Sequence, residues 1–234
     1  MNFKNIFVGK KEKTVGPLKL KDIRRAIKKR MSTANDEFNR GYDLIEKYPR
    51  SVSILGSARF KPSNKFYKQA ESLARRIATE LKYTVVTGGG PGIMEAANRG
   101  AYEAGGKSIG FGIKLPEEQD LNPYLTESVN FEYFFSRKTL LFFSAETYIY
   151  FPGGFGTMDE LFEILTLIQT KKIPSVPVVL VGREFWGPLM QIIEKELLED
   201  EGTISEKDTK IYKIVDSEDE IIDIIRKAPL RQLE

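Results

Sequence analysis

Apolar and polar positions follow two different rhythms along most of this chain. From Arg50 onward, short runs in which most positions are apolar alternate with longer stretches in which apolar positions recur every three or four residues. The short runs are typical of buried strands, and the longer stretches are typical of helices that bury one face. The pattern predicts strands at 51–55, 84–87, 108–113, 147–151, 178–181 and 211–215, and helices at 66–81, 92–104, 136–144, 157–170, 185–198 and 217–226.

Strands that are apolar on both faces and separated by helices indicate a parallel sheet that is covered on each side. We therefore predict an α/β fold, a Rossmann-like doubly wound parallel sheet with helices on both faces. Ligands of such folds bind at the carboxyl edge of the sheet, where the strands end. Functional residues are accordingly expected in the loops that leave the strands.

The first 48 residues are charge-rich and contain none of the buried-strand runs. Phe38, Tyr42 and Ile45 predict one helix there, and a preceding helix is predicted from a separate apolar repeat. We predict that 1–48 is an N-terminal helical extension and that 49–234 is a Rossmann-like nucleotide-binding catalytic domain. The preceding repeat consists of Leu20, Ile23, Ile27 and Met31, with Lys21, Arg24, Arg25, Lys28 and Lys29 between them.

This repeat describes an amphipathic basic helix, which allows two interpretations. In the first, the helix lies on the surface of the domain and keeps its cations in water. In the second, it binds a polyanion or a partner protein. The whole chain offers little support for nucleic acid binding, because 36 Lys and Arg against 33 Asp and Glu leave a net charge of only +3.

Composition excludes several kinds of chemistry, because the chain has neither cysteine nor histidine. Thiolate nucleophiles, imidazole acid–base catalysis and metal sites built on Cys or His are therefore absent. Residues 1–13 lack the apolar core of a signal peptide, and no apolar stretch is long enough to cross a bilayer. We expect a cytoplasmic protein without a membrane or nucleic acid partner.

Two glycine clusters each follow a predicted strand and precede a predicted helix. They are Gly88–Gly92 and Pro152–Gly156. Glycine lets the backbone approach a ligand closely, and the free N–H groups of a helix start favour an anion. Two such loops at one sheet edge predict a phosphorylated ligand, although a pair of tight turns is the alternative. Neither cluster has the glycine spacing of a dinucleotide fingerprint, which disfavours hydride transfer.

Charged residues near these loops are candidates for chemistry. Glu160 completes a capping box that starts at Thr157, and it could also stabilise a cationic transition state. Arg137 and Lys138 follow Ser136, a candidate helix N-cap, and two cations there oppose the helix dipole. Either an anionic ligand or a salt bridge to a neighbouring acid explains them. Glu95 is similarly placed in a first helical turn, where acidic residues are ordinary.

Three separated motifs resemble the LOG family, the cytokinin riboside 5′-monophosphate phosphoribohydrolases. They are Gly88–Ala96, Ser136–Lys138 and Pro152–Glu160, and the resemblance extends from about Ser51 to Asp216. The N-terminal extension and the Gly-Ser-Ala-Arg opening are similar to the longer bacterial members.

The resemblance implies hydrolysis of the N-glycosidic bond between a purine-type base and ribose 5-phosphate, without a cofactor or a metal. It implies that Arg137 and Glu160 are catalytic. It also implies homodimers or larger assemblies, with AMP or prenylated AMP as candidate substrates. The predicted nucleotide and phosphate contacts are Gly153, Gly154, Gly156, Thr157, Gly89, Gly90, Gly92, Ser57, Glu95 and Lys138.

The residues agree with this chemistry, because a carboxylate such as Glu160 can stabilise an oxocarbenium-like centre and orient or deprotonate water. Arg137 could hold phosphate or ribose oxygens, or charge on the departing base. Some LOG proteins were once labelled lysine decarboxylases, but that activity ordinarily requires pyridoxal phosphate on a lysine that no local pattern singles out. Two alternatives stay open: a non-catalytic carrier of a phosphorylated nucleotide or of the molybdenum cofactor, and an interaction protein built on the basic helix.

Overall fold

The computed structural model describes residues 19–115 and 120–230. The expectation that 1–13 is not a signal peptide lies outside these residues. The strands are β1 (Ser51–Leu55), β2 (Thr84–Thr87), β3 (Ser108–Ile113), β4 (Glu127–Phe131), β5 (Thr147–Tyr150), β6 (Val178–Leu180) and β7 (Tyr212–Ile214). The helices are α1 (Leu20–Lys47), α2 (Lys65–Arg76), α3 (Ile93–Glu103), α4 (Phe134–Phe143), α5 (Phe155–Gln169), α6 (Arg183–Ile193) and α7 (Glu218–Lys227).

Shorter helical segments extend or separate these elements. A π-helical segment at Ile77–Leu81 continues α2, and another at Glu194–Asp200 continues α6. A short 3₁₀ turn, Asp208–Lys210, precedes β7. Within the described ranges, no helix combines the length and the apolar character that a membrane crossing requires.

The seven strands form one parallel sheet in the order β4-β3-β2-β1-β5-β6-β7. Helices cover both faces, and each face has its own core. Val52 and Ile54 of β1 pack with α2, α3 and α7, whereas Leu55 lies on the face of α1, α4, α5 and α6. The predicted α/β fold with a doubly wound parallel sheet is confirmed. The chain order reverses between β1 and β5, which places a ligand crevice at that point of the carboxyl edge.

Strand β4 is an addition to the predicted pattern. It lies at the edge of the sheet and pairs only with β3, and its burial alternates between Ser128 and Asn130 on the exposed side and Val129 and Phe131 on the buried side. A single buried face leaves no continuous apolar run, so the strand is inconspicuous in the sequence.

In the described part of the N-terminal segment, Leu20–Lys47 form one continuous helix, and the prediction of two helices there was wrong. Gly41 does not interrupt it, because this residue faces α4 so closely that an added Cβ would lie 2.3 Å from Leu140 Cδ1. The C-terminal half of α1 packs on the body through Leu44 and Ile45. In the N-terminal half, the apolar repeat of Leu20, Ile23, Ile27 and Met31 is exposed. The interpretation of a basic helix lying on the domain surface is therefore wrong for this half.

Helices α4 and α5 each begin two residues earlier than predicted, which corrects two capping assignments. Helix α4 starts at Phe134, so Ser136 is inside the helix and is not its N-cap. Helix α5 starts at Phe155 with Gly154 as N-cap, so Thr157 is the third helical residue. The capping box with Glu160 is consequently not formed. Turn residues such as Gly154 start a helix without the side-chain oxygen by which a cap is usually recognised.

Candidate functional site

A cavity of about 630 Å³ opens at the carboxyl edge of the sheet, where β1, β2 and β5 end. Its wall is formed by the segments that follow these three strands and by side chains of α4 and α5. Charged groups in it are Arg59, Arg137 and Glu160. The remaining lining residues are Leu55, Gly56, Ser57, Ala58, Gly88, Met94, Leu141, Gly153, Gly154, Phe155, Gly156, Thr157 and Met158.

Arg137 is a buried cation that is held in place from two sides. Its Nε donates a hydrogen bond to the carbonyl oxygen of Phe111 at 2.7 Å, and its Nη1 lies 3.2 Å from Glu160 Oε1. Gly88 makes room for this guanidinium, because a Cβ at that position would lie 2.3 Å from Nη2. The side chain reaches the cavity from the first half of α4 with its orientation already determined.

Glu160 faces Arg137 from the second turn of α5, and its side chain is 14% exposed. Burial raises the pKa of Glu160 above the ordinary range, while the charges of Arg137 and Lys138 lower it in part. The hydroxyl of Tyr150 donates to the backbone carbonyl of Glu160 at 3.1 Å and ties this turn of the helix to β5. A carboxylate with this environment can exchange a proton nearer to neutral pH than an exposed one.

The loop between β5 and α5 brings the start of a helix to the cavity. The first N–H groups of a helix have no partner within it, so Phe155, Gly156 and Thr157 present backbone donors here. Gly154 and Gly156 face open space, since a Cβ at either would meet nothing within 4 Å. At Gly153 a Cβ would lie 2.1 Å from Thr157 Oγ1. The loop is therefore suited to a close approach by an anionic group.

The loop between β2 and α3 is a tight turn, and Gly89 and Gly92 have φ values of +73° and +71°. Asn122 binds this turn through its side-chain amide. Its Nδ2 donates to the carbonyls of Gly89 and Gly90, both at 3.0 Å, and to Asn98 Oδ1 at 2.9 Å. Asn122 is buried and was not predicted as a site residue. Its segment has no periodic pattern, so the sequence carries no signal for this role.

The structure places the predicted site residues in two groups. Arg137, Glu160, Ser57, Gly153, Gly154, Gly156 and Thr157 line the cavity together. Gly89, Gly90 and Gly92 shape the turn behind Gly88 without lining it. Glu95 accepts a hydrogen bond from Tyr67 at 2.8 Å, and Lys138 pairs with Asp159 at 2.8 Å and with Glu163. For Lys138 the observed partners are neighbouring acids, which was one of its two interpretations.

A second, more open cleft of about 880 Å³ lies at the ends of β6 and β7. Its charged groups have partners within the protein: Lys65 pairs with Glu184, and Asp216 accepts from the backbone N–H groups of Gly182 and Arg183 at 2.8 and 3.0 Å. It contains neither the glycine loops nor the pair of Arg137 and Glu160. We therefore assign the candidate active site to the smaller cavity.

Known proteins are similar to the part of the chain that contains the candidate active site. A family model described as possible lysine decarboxylase matches residues 94–225. The cytokinin riboside 5′-monophosphate phosphoribohydrolase of Rhodococcoides fascians is 30% identical over 156 residues, which are 64% of this chain and 77% of that protein. The probable cytokinin riboside 5′-monophosphate phosphoribohydrolase LOG4 of Oryza sativa subsp. japonica is 25% identical over 182 residues, 76% of this chain and 77% of that protein.

Among solved structures, the molybdenum cofactor binding protein from Rippkaea orientalis is similar with a TM-score of 0.54 and 23% identity. The similarity covers 75% of this chain and 93% of that one. At this identity the likeness concerns the fold, which a catalyst and a carrier can share.

Proposed function

The chain belongs to the family described as possible lysine decarboxylase, the LOG family, and on this premise we propose that it is a nucleoside 5′-monophosphate phosphoribohydrolase. The reaction is hydrolysis of the N-glycosidic bond to a free base and ribose 5-phosphate. The observation that carries the proposal is the buried pair of Arg137 and Glu160 in a cavity beside the start of a helix. The negative charge of the carboxylate complements the cationic ribose of the transition state, and the positive charge of the guanidinium complements the phosphate.

The start of α5 is the proposed binding site of the 5′-phosphate. Backbone N–H groups and the positive end of the helix dipole both favour a phosphate at this position. Gly154 and Gly156 leave the approach open because they have no side chains. The phosphate then fixes the ribose over Glu160, which lies one to two turns further along the same helix.

Glu160 is the proposed catalytic carboxylate. As the bond between C1′ of the ribose and the base nitrogen breaks, positive charge develops at C1′, and the ionised carboxylate stabilises it. A water molecule forms the new bond to C1′ and Glu160 accepts its proton. The base leaves with the electron pair of the broken bond and takes up one proton, and loss of the proton from Glu160 restores the carboxylate. The burial that raises the pKa of Glu160 makes it a stronger base for this step.

Arg137 is proposed to orient Glu160 and to contact the substrate. One nitrogen of its guanidinium donates to the carbonyl of Phe111 and another to Glu160, which leaves further N–H groups for ribose or phosphate oxygens.

Lysine decarboxylation is disfavoured, because Schiff-base chemistry needs a lysine in the site and none of the described lining residues is a lysine.

We propose that the chain forms a homodimer or a larger homo-oligomer. Helices α4 and α5, which carry Arg137 and Glu160, also carry exposed aromatic side chains, and exposed apolar surface is typical of an interface. They are Phe134, Phe135, Phe143, Phe155 and Phe162. We expect light scattering to give a molar mass of at least two chains. A monomer at micromolar concentration would contradict this. The expected cytoplasmic location stays a prediction.

The proposal is tested by incubating the purified protein with AMP, GMP, CMP, UMP and isopentenyladenosine monophosphate. Free base and ribose 5-phosphate are quantified by chromatography, and adenosine serves as the control without a phosphate. We expect release from at least one monophosphate and much slower release from adenosine. Binding of the nucleotides by folded protein without release would overturn the proposal and support a carrier of a phosphorylated nucleotide or of the molybdenum cofactor.

The pH dependence of kcat/KM provides a second prediction. Activity should fall as pH decreases through the raised pKa of Glu160, so the acid limb should lie above the ordinary glutamate value of about 4.3. Because the charge of Lys138 lowers this pKa, Lys138→Met should move the limb to higher pH. Lys172→Met, an exposed lysine outside the cavity, is the control. The prediction would be contradicted if the acid limb lay at the ordinary glutamate pKa in the wild type, in Lys138→Met and in Lys172→Met.

A further inference from the structure

Glu37 is a carboxylate of α1 that is completely buried and belongs to none of the predicted motifs. Its Oε1 accepts a hydrogen bond from the backbone N–H of Glu132 at 2.5 Å, and its Oε2 accepts one from the hydroxyl of Ser136. None of the ion pairs found among the described residues involves Glu37. A buried charge without a cationic partner is costly unless hydrogen bonds satisfy it, so these two bonds are its main compensation.

The carboxylate of Glu37 lies where α4 begins. The N-cap of α4 is Tyr133, whose side chain makes no capping hydrogen bond. Glu37, from another helix, instead binds the backbone N–H of Glu132 just before this N-cap and the hydroxyl of Ser136 in the first turn. Its negative charge also lies at the positive end of the helix dipole.

The first turn of α4 determines the position of Arg137, which directly follows Ser136. Arg137 must reach both the carbonyl of Phe111 and the carboxylate of Glu160. One turn further along α4, Leu140 packs so tightly against Gly41 that α1 and α4 have no room for a Cβ between them. Helix α1 thus contacts α4 on both sides of Arg137 in sequence.

We propose that Glu37 is a positioning residue that holds Arg137 in place by its hydrogen bonds to the start of α4. The second half of α1 then contributes to the position of a site residue, and removing it should disturb the site. The kinetic consequences rest on the proposed function, whereas the effect on the position of Arg137 does not.

The first experiment measures hydrogen exchange of the Arg137 Nε–H by NMR of ¹⁵N-labelled full-length protein, with the signal assigned by its loss in Arg137→Lys. In the wild type this proton is protected by its bond to Phe111. Glu37→Ala should accelerate its exchange by about tenfold or more, since the local turn opens more often. The matched control is Glu46→Gln, an exposed glutamate on the same helix.

Glu37→Gln separates the hydrogen bonds from a general loss of packing. Its amide oxygen can accept from Glu132, and its NH₂ can donate to the hydroxyl oxygen of Ser136, whose proton then turns to the carbonyl of Tyr133, 3.0 Å away. We expect exchange within about threefold of the wild type. If Glu37→Ala does not fold, Ser136→Ala removes the same link and is judged in the same way.

Steady-state kinetics on the best monophosphate substrate give the second readout. Glu37→Ala should lower kcat by about tenfold to 100-fold with KM within about threefold, because a displaced Arg137 weakens the transition state more than ground-state binding. The proposal would be overturned if the Arg137 Nε–H of folded Glu37→Ala exchanged as slowly as in the wild type. It would also be overturned if Glu37→Gln or Glu46→Gln accelerated this exchange as much as Glu37→Ala does. Absence of turnover by the wild type would instead refute the proposed function, and the exchange result would still decide the role of Glu37.

Discussion

Glu160→Gln is expected to lower kcat by about 10³-fold or more while the protein stays folded and still binds nucleotide. Glutamine has nearly the same shape, and its amide oxygen can still accept the hydrogen bond that Arg137 Nη1 now donates at 3.2 Å. The substitution removes only the charge and the basicity. If Glu160 stabilises the cationic ribose and deprotonates water, the transition state loses both interactions, whereas the phosphate keeps the start of α5.

Glu194→Gln is the matched control for this experiment. Glu194 lines the second cleft, where it accepts a hydrogen bond from Tyr212 at 3.1 Å, and it is not among the residues that line the candidate active site. Its substitution should leave kcat and KM within about twofold, as is usual for changes away from a reacting group. Equal loss in both variants would point to the second cleft or to general instability. Undiminished kcat in Glu160→Gln would remove the carboxylate from the mechanism.

The fold was largely predictable because buried parallel strands leave a local signature in the sequence. Each of β1, β2, β5 and β6 has apolar residues on both faces, and β3 alternates apolar residues with small ones, so a short run identifies each strand without reference to its neighbours. The edge strand β4 buries only Val129 and Phe131, and its existence depends on pairing with β3. That pairing is a tertiary contact, which periodicity does not record.

The candidate site was predictable to the extent that it consists of loops following strands. Gly88 and Gly153 follow β2 and β5, and the carboxyl-edge rule for parallel sheets predicts that such loops meet. The residues behind the loops were not predictable. Asn122 and Glu37 act on backbone groups more than thirty residues away in sequence, and neither residue belongs to a motif or to an apolar repeat.

Capping residues illustrate the same limit at shorter range. The sequence predicts Ser136 and Thr157 as N-caps, because their side chains and the residues after them fit the usual pattern. In the structure, the hydroxyl of Ser136 is used by Glu37, and Thr157 packs against Gly153 inside α5. Glycine or an aromatic residue starts each helix instead, which is possible because the neighbouring chain or a ligand can satisfy the first N–H groups.

Gly92→Ala is expected to lower the free energy of unfolding by about 3 kcal/mol or more and to disrupt the cavity. Gly92 has a φ of +71° and a ψ of −127°, a conformation that residues with a Cβ rarely adopt. The added Cβ would also lie 2.2 Å from the carbonyl oxygen of Ser57 and 2.8 Å from Ala58 Cα. These are backbone atoms, so relief requires movement of the segment after β1, whose Ser57 carbonyl accepts the N–H of Ile93 at 2.9 Å.

Gly105→Ala is the comparison in the same urea-unfolding experiment. Gly105 has nearly the same φ, +73°, but a Cβ there would meet nothing within 4 Å. Its substitution should therefore cost only the conformational term of a positive φ, about 1 kcal/mol. The difference between the two variants then measures together the close approach of the Gly92 turn to Ser57 and the ψ of −127° at Gly92. Equal losses would mean that neither adds a cost, and the segment after β1 would not depend on the glycine loop for its position.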